Sequence, residues 1–272
     1  MKRKLSNFIV ILISLICVAG VIYSIVNIIK WKMDGDKINE IVDNITEKVE
    51  IVEVIDENKV ETVEPQEEIE QSNPYWDYIN TNLINVDFSE LKLVNSDVVG
   101  WIKVNGTNIN YPFVQTNNNK YYLNHSFDKS YNSAGWVFLD YRNNKDNLSK
   151  NNIIYAHGRR DTTMFGSLRT ILTNGWLNNT SNFTIQLSME SENTLWQVFS
   201  VYRIPTTNDY IQINFPSNYD FSNFTQKILE RSSFNFNTTV SENDKILTLS
   251  TCYDNFDKVV VHAKLIKKET RN

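Results

Sequence analysis

The longest hydrophobic pattern in the chain lies near its beginning. Residues 8–29 are apolar, apart from Ser14, Ser24 and Asn27. About 20 consecutive apolar residues are enough for a helix to cross the hydrocarbon core of a bilayer. The pattern therefore predicts a transmembrane helix within residues 1–32.

The charges that flank this run predict its orientation. Lys2, Arg3 and Lys4 precede it, and the positive-inside rule places such residues in the cytoplasm. Lysines at positions 30 and 32 weaken this asymmetry without cancelling it. A cleaved signal peptide is the alternative, but its apolar region is normally shorter and ends in small residues. No A-x-A pattern lies near Ile29, so we expect an uncleaved single-pass anchor with the following domain outside the cell.

Acidic residues dominate the next segment, residues 33–73, where aromatic residues are almost absent. Such a composition buries too little apolar surface to offset the entropy lost on ordering, and like charges extend a linker. We expect a stalk that holds a domain off the membrane surface. Ile38, Ile41 and Ile45 are apolar positions that can support a short helix in part of it.

The pattern changes again at Pro74, after which aromatic and β-branched residues are frequent. Short β-type runs are bounded by Asn, Asp and Gly, and Asn105-Gly106 is a hairpin-turn signal. Eight such runs with few helices predict a mainly β domain over residues 74–272, an eight-stranded closed or nearly closed barrel with peripheral helices. The predicted strands are 99–104, 109–114, 136–140, 152–156, 183–187, 195–203, 245–251 and 259–266, and the predicted helices are 75–84, 89–95, 120–125, 164–173 and 221–232.

Composition narrows the possible functions. The chain has 272 residues, of which 41% are hydrophobic and 12% aromatic, so it can build a core. Its net charge is −5, whereas a general nucleic-acid binder usually carries a basic surface. We therefore expect no nucleic-acid partner.

Cysteine and histidine positions supply the candidate chemistry. Cys17 lies inside the apolar run, which leaves Cys252 as the one thiol of the exported part, either buried and inert or reactive. The histidines, His125, His157 and His262, have no metal-ligand spacing, and no phosphate-binding glycine loop occurs. We expect neither a metal nor another cofactor.

Two of these residues end β-type runs. His157 follows the run at 152–156, and Cys252 follows the run at 245–251. Strand ends from distant parts of a chain can meet at one rim of a barrel, where Cys and His form a nucleophile and base pair. From spacing alone, a buried inert thiol and a surface histidine remain open readings.

Several strings, in the right order, resemble those of the sortases, and of class B in particular. TLSTC at 248–252 resembles the active-site signature, and IIYAHG at 153–158 resembles the histidine segment. GWVFLDYRN at 135–143 and VVGWIKVNGTNINYPFVQ at 98–115 resemble the strand before it and the start of the barrel. The resemblance covers about residues 75–268.

This resemblance implies a membrane-anchored thiol peptidase and transpeptidase of a Gram-positive cell. Cys252 would attack the Thr carbonyl of an NPQTN- or NPKTG-like sorting motif near the C-terminus of a surface protein. A thioester acyl-enzyme would form, and a peptidoglycan amine, from precursor or cross-bridge, would resolve it. His157 would protonate the leaving amine and later deprotonate the incoming one.

The sequence departs from the family at one important place. Class B sortases carry an arginine on the strand after the cysteine, and here that position falls on Lys258. Lysine keeps the charge but lacks the planar fork of donors. Lys258 performs the role less rigidly, or Arg203 or Arg160 reaches the site instead, or the enzyme is slow or altered in specificity.

The resemblance also suggests further site residues. Asp254 matches an acidic position that would orient His157 or bind substrate, although a solvated turn residue is an equal alternative. Tyr210 and Ile211 would line a substrate groove or be plain core residues. The groove would comprise Leu123, Thr206, Tyr210, Ile211 and Ser250.

Two other functions stay open at the level of sequence. A pilin-polymerising sortase often carries an N-terminal lid with an Asp-Pro-aromatic motif, of which Asn73-Pro74-Tyr75 is a faint echo. A catalytically weakened sortase-fold surface binding module is the other, supported by the Lys258 departure.

Overall fold

The computed structural model describes residues 2–54, 60–63 and 75–271. Its helices are α1 (Lys2–Lys48), α2 (Tyr75–Tyr78), α3 (Ser89–Val94), α4 (Asn174–Leu177) and α5 (Asn218–Glu230), with 3-10 turns at Tyr121–Leu123, Gly166–Leu172 and Thr180–Asn182. Its strands are β1 (Ile51–Glu53), β2 (Val60–Thr62), β3 (Ile84–Val86), β4 (Val98–Val104), β5 (Asn110–Val114), β6 (Phe138–Leu139), β7 (Asn151–Tyr155), β8 (Thr184–Met189), β9 (Glu192–Pro205), β10 (Ile246–Cys252) and β11 (Asp257–Thr270).

Eight of the strands in this described part close into a barrel. Their order is β10-β7-β6-β5-β4-β8-β9-β11, and pairing of β11 with β10 completes the ring. Neighbours are antiparallel, except β5 with β6 and β7 with β10, which are parallel. β2 extends the sheet beyond β11, and β1 pairs with β3 outside the barrel. The expected mainly β fold with an eight-stranded barrel is confirmed.

The sequence pattern located all eight barrel strands, because alternating or continuous apolar runs follow the buried face of each. The Asn105-Gly106 turn joins β4 to β5, and Gly106 has a φ of +70°, where glycine carries no steric cost. The run at 136–140 is strand only at Phe138–Leu139. The predicted helix at 75–84 ends at Tyr78, and the chain then enters β3.

Aromatic side chains fill the barrel and cover its outside. Trp101, Trp136 and Trp196 are buried in the main core. A second cluster lies between α5 and the outer face of the barrel, and it includes Phe221 and Tyr210. These two layers give the rim around β7 and β10 a rigid base, because close-packed interiors deform little.

The long helix α1 has two different parts. Its apolar part is unburied and is long and apolar enough to cross a membrane. Its last turns instead pack against the barrel, where Ile38 and Ile45 are buried.

Residues 33–48, which we expected in an extended stalk, are thus helical and docked. Ile38, Ile41 and Ile45 recur at helical spacing, so they form one apolar stripe that the barrel covers. Burial of this stripe against the barrel offsets the entropy that the acidic segment loses when it becomes ordered. Residues 55–59 and 64–74, including the expected boundary at Pro74, lie outside the described residues.

Candidate active site

Strand pairing brings the candidate cysteine and histidine to one rim. β7 and β10 are parallel, and Tyr155 pairs with Ser250 at their carboxyl ends. His157 and Cys252 each lie two residues beyond this pair, so both leave the same edge of the sheet. They line a common cleft of about 1090 Å³. The expected meeting of two distant strand ends is present in the structure.

The cysteine lies at the end of a hairpin, opposite a lysine. Cys252 pairs with Lys258 across β10 and β11, and the Lys258 ammonium donates to the Cys252 sulfur at 2.9 Å. Cys252 is only partly buried, and it lines the cleft. This contact places a positive charge directly beside the sulfur.

The histidine is oriented by a backbone carbonyl. Nε2 of His157 lies 2.8 Å from the carbonyl oxygen of Leu123. A carbonyl oxygen only accepts hydrogen bonds, so Nε2 carries the proton in this contact. The contact ties the imidazole to the turn that precedes the β6 strand.

A glycine lets the histidine loop lie against the cysteine strand. A Cβ atom on Gly158 would come 2.0 Å from the carbonyl oxygen of Cys252. Thr251 donates to the carbonyl of Ala156 at 2.8 Å, and Arg169 donates to the carbonyl of Gly158 at 2.8 Å. The histidine loop and the cysteine strand are therefore in direct contact beside the two candidate side chains.

The loop between β10 and β11 is braced by Arg203. Its guanidinium donates to Asp254 at 2.9 Å and to Asp257 at 2.5 Å, and stacks over the Tyr253 ring at 3.9 Å. Backbone amides of Phe256 and Asp257 also donate to the Asp254 carboxylate, and these bonds lower its pKa. Asp254 thus bonds to its own loop and to Arg203 of β9.

The five expected groove residues fall into three groups by exposure. Tyr210 and Ser250 are buried, and their hydroxyls lie 2.9 Å apart; burial raises the pKa of Tyr210. Ile211 is partly buried against the second core. Leu123 is exposed, and Thr206 is an exposed residue that donates to the carbonyl of Phe256 at 2.9 Å.

Sequence reasoning missed part of the cleft lining. Arg169, Tyr253 and Phe256 line it beside Cys252, and so do residues of α1. No short string marked these positions, because their role follows from contacts between segments far apart in the chain. Arg160, one of the alternatives to Lys258, also lines the cleft.

Much of this chain is similar in sequence to known proteins. Residues 102–266 match the sortase domain family. The chain is 36% identical over 186 residues to a sortase B of Listeria monocytogenes, covering 67% of this chain and 75% of that protein, and 35% identical over 188 residues to a sortase B of Staphylococcus aureus, covering 68% and 76%.

Solved structures give the same result. A Staphylococcus aureus sortase B–substrate complex superimposes with a TM-score of 0.62 at 36% identity, covering 66% of this chain and 84% of that one. A Bacillus anthracis protein described as similar to sortase B gives 0.61 at 39%, covering 68% and 83%. The chain belongs to the sortase family, whose members are cysteine transpeptidases. The resemblance to class B, drawn from TLSTC and the strings before it, is confirmed by these relatives.

Proposed function

We propose that Cys252 is the nucleophile and His157 the acid–base partner of a transpeptidase that cleaves a sorting motif and joins the released acyl group to an amine. One observation carries this proposal: both residues line one cleft at the ends of a parallel strand pair, with the Lys258 ammonium 2.9 Å from the sulfur. A nucleophile, a titratable base and a fixed cation on one rim are the parts that acyl transfer requires.

The first half of the reaction breaks a peptide bond. The Cys252 thiolate adds to the Thr carbonyl carbon of the motif, and the carbonyl oxygen becomes an oxyanion. The C–N bond then breaks as His157, in its protonated form, gives a proton to the leaving nitrogen. The products are a thioester on Cys252 and a free C-terminal fragment.

The second half transfers the acyl group. An incoming amine adds to the thioester carbonyl, and the now neutral His157 accepts its proton. The C–S bond breaks and the sulfur leaves as thiolate, so the enzyme returns to its starting state. Lys258 supports both halves, because a cation at the sulfur also lies near the oxyanion formed on the adjacent carbon.

The substrate and acceptor follow from class B resemblance. We propose an NPQTN- or NPKTG-like motif in the groove of Leu123, Thr206, Tyr210, Ile211 and Ser250, and an amine of peptidoglycan as acceptor. One similar solved structure is a sortase B complexed with triglycine, a peptide with a free amine. This supports an amine acceptor for the present chain.

The anchor proposal follows from α1. Its apolar part would span the membrane once, with Lys2–Lys4 in the cytoplasm and the barrel outside the cell. A membrane-impermeant maleimide added to intact cells should label Cys252 in a Cys17→Ala background. Labelling only after cell lysis would reverse the orientation.

The decisive experiment uses the full chain in detergent with NPQTN- and LPXTG-type peptides, with and without triglycine. Cleavage after Thr that Cys252→Ala abolishes, with triglycine ligation, establishes the transpeptidase, and the preferred peptide gives the class. A covalent ladder of one protein would favour pilin polymerisation. Absence of cleavage by folded enzyme would favour a weakened binding module.

A further inference from the structure

One wall of the active-site cleft comes from the membrane helix. Asn27, Ile28 and Trp31 of α1 line the same cleft as Cys252 and His157. Asn27 and Ile28 belong to the apolar run that is long enough to cross a bilayer. Cys252 and the end of the apolar run therefore border the same cleft.

A specific contact joins this helix to the histidine loop. Arg159, two residues after His157, donates to the carbonyl oxygen of Trp31 at 3.0 Å. Its guanidinium also lies 4.6 Å from the Trp31 ring centroid, within the range of a cation–π contact. Arg159 is buried and is held from the other side by Asp161 at 2.7 Å.

A glycine permits this close approach. A Cβ atom on Gly35 would lie 2.7 Å from the Asp161 carboxylate and 2.9 Å from the Arg159 guanidinium. Gly20, in the same helix, has nothing within 4 Å of its Cβ position. The absence of a side chain at position 35 thus brings the helix backbone onto the Arg159–Asp161 pair.

The following turns of α1 hold the contact in place. Asp34 accepts hydrogen bonds from the backbone and hydroxyl of Ser133. Lys37 donates to Ser130 at 2.6 Å, and Ile38 and Ile45 are buried against the barrel. These contacts attach α1 to the barrel directly after the residues that line the cleft.

The length of the apolar run indicates where the cleft lies relative to the bilayer. Residues 8–29 extend over roughly 33 Å at about 1.5 Å per residue, close to the ~30 Å thickness of the hydrocarbon core. Trp31 comes just after this run, and tryptophan is enriched at the membrane–water interface. The cleft beside Trp31 lies at that same level.

We propose that Trp31, Gly35 and Arg159 are positioning residues that clamp the active-site cleft to the end of the membrane helix, so that it opens at the membrane–water interface and takes peptides presented there. The inference rests on the proposed function for its catalytic readout, but the position of the cleft can be measured without catalysis. A flexible stalk would let the same cleft sample a wide range of heights, whereas the clamp allows one.

Depth is tested by fluorescence. The full chain with Cys17→Ala, labelled at Cys252 with a small dye, is placed in nanodiscs of phosphatidylcholine and phosphatidylglycerol. Lipids that carry a quencher in the headgroup should quench the dye, and quenchers deep in the acyl chain should not. Gly35→Leu and Trp31→Ala should each reduce headgroup quenching, whereas the matched controls Gly20→Leu and Tyr23→Ala should leave it unchanged.

Catalysis supplies the second readout. Unlabelled enzyme in the same nanodiscs is given one motif peptide in two forms, free or joined to a lipid by a short spacer. The ratio of kcat/KM for the tethered over the free form should fall by about tenfold in Trp31→Ala, because a tether raises effective concentration only at a matching height. Tyr23→Ala should keep the parent ratio.

The outcomes separate the two ideas. A dye that no headgroup quencher reaches, or equal quenching in Gly35→Leu, Trp31→Ala and their controls, overturns the clamp. An equal loss on both peptides in Trp31→Ala also overturns it. Headgroup quenching that responds to the variants, in a parent enzyme that cleaves neither peptide, supports the clamp and rejects the proposed function.

Discussion

Lys258 is the residue whose chemistry departs most from the family pattern. The Lys258 ammonium is a single point of charge on a flexible stem, whereas an arginine presents a planar fork. Its contact with the Cys252 sulfur shows that it reaches the site from the opposite strand. Arg203, one alternative, is engaged by Asp254 and Asp257.

We expect Lys258→Ala to lose activity by about 10²–10³-fold in kcat, the range measured when one oxyanion donor is removed. Lys258→Arg should retain or raise activity, because it restores the fork at the same register. Steady-state cleavage of the preferred motif peptide measures both. Lys258→Ala with parental kcat would show that another group stabilises the oxyanion.

His262 illustrates a histidine with a structural role. The ring is fully buried, and its nitrogens lie 2.8 Å from the Tyr202 hydroxyl and 2.9 Å from the Thr248 hydroxyl. Burial, with a smaller contribution from Arg231, lowers the pKa of His262 from 6.5 to about 3. The folded protein therefore holds this ring neutral.

This pKa predicts a loss of stability in mild acid. Below pH 6.5 the unfolded chain binds a proton at His262 that the folded chain does not, so stability falls as pH drops from about 6.5 towards about 3. Each pH unit in that window should lower the free energy of unfolding by about 1.4 kcal/mol. Thermal unfolding between pH 4.5 and 7 measures the slope, and His262→Gln should flatten it. An unchanged slope in the variant would assign the effect elsewhere.

Among single residues, the sequence singled out the candidate cysteine and histidine but not the side chains around them. Cys252 and His157 stood out because each follows a β-type run and because the surrounding strings resemble a known family. Trp31 and Arg159 carried no such signal, since their contact joins segments 128 positions apart. A single sequence does not encode such a contact in any local pattern.

The element that assembles the site is the parallel pair of β7 and β10. Parallel strands need a long connection, so their ends meet only when the barrel closes. Gly158 is the tightest point of this meeting, because a Cβ atom there would overlap the carbonyl oxygen of Cys252. The histidine loop and the cysteine strand must separate if that position carries a side chain.

Gly158→Ala should therefore reduce kcat/KM by about 10²-fold, the effect of a displacement near 1 Å at a catalytic group. Gly175→Ala is the matched control, since the nearest atom to its Cβ position is 3.9 Å away. Peptide cleavage measures activity, and circular dichroism checks that both variants fold. Full activity in Gly158→Ala would mean that the loop has room that the structure does not show.

Helices and strands were predicted well where the local sequence pattern determines them. All eight barrel strands follow apolar runs bounded by turn residues, and the helix predicted at 221–232 is α5 (Asn218–Glu230). The short ribbon of β1 and β3 escaped prediction, because β1 belongs to an acidic segment and gains its partner only in the folded chain. Ile38, Ile41 and Ile45 had suggested a short helix in the acidic segment, but its docking against the barrel escaped prediction for the same reason.

At the scale of the whole molecule, the docked helix changes the relation between domain and membrane. Composition suggested a charged spacer, but burial of Ile38 and Ile45 joins residues 33–48 to the barrel core. The molecule then consists of an unburied candidate membrane span, a docked helical segment and a barrel, and the last two share one packed interface. The stability of the contact between the docked segment and the barrel can be tested without substrate.

The final prediction concerns that interface. Ile38 is fully buried, and an aspartate there would place an unpaired charge in the core, so the docked segment should detach. Asn39→Asp is the matched control, because it adds the same charge to the same helix at an exposed position. In nanodiscs, limited trypsin treatment should cut the Ile38→Asp chain at Lys37 and Lys48 about tenfold faster than the parent, because local opening of the segment governs cleavage. Asn39→Asp should be cut at the parental rate. If the parent is cut as fast as Ile38→Asp, the segment is not docked in the membrane-bound enzyme. If the parent is cut slowly and only Ile38→Asp is cut fast, packing of the segment, and not a flexible tether, holds the barrel at the bilayer.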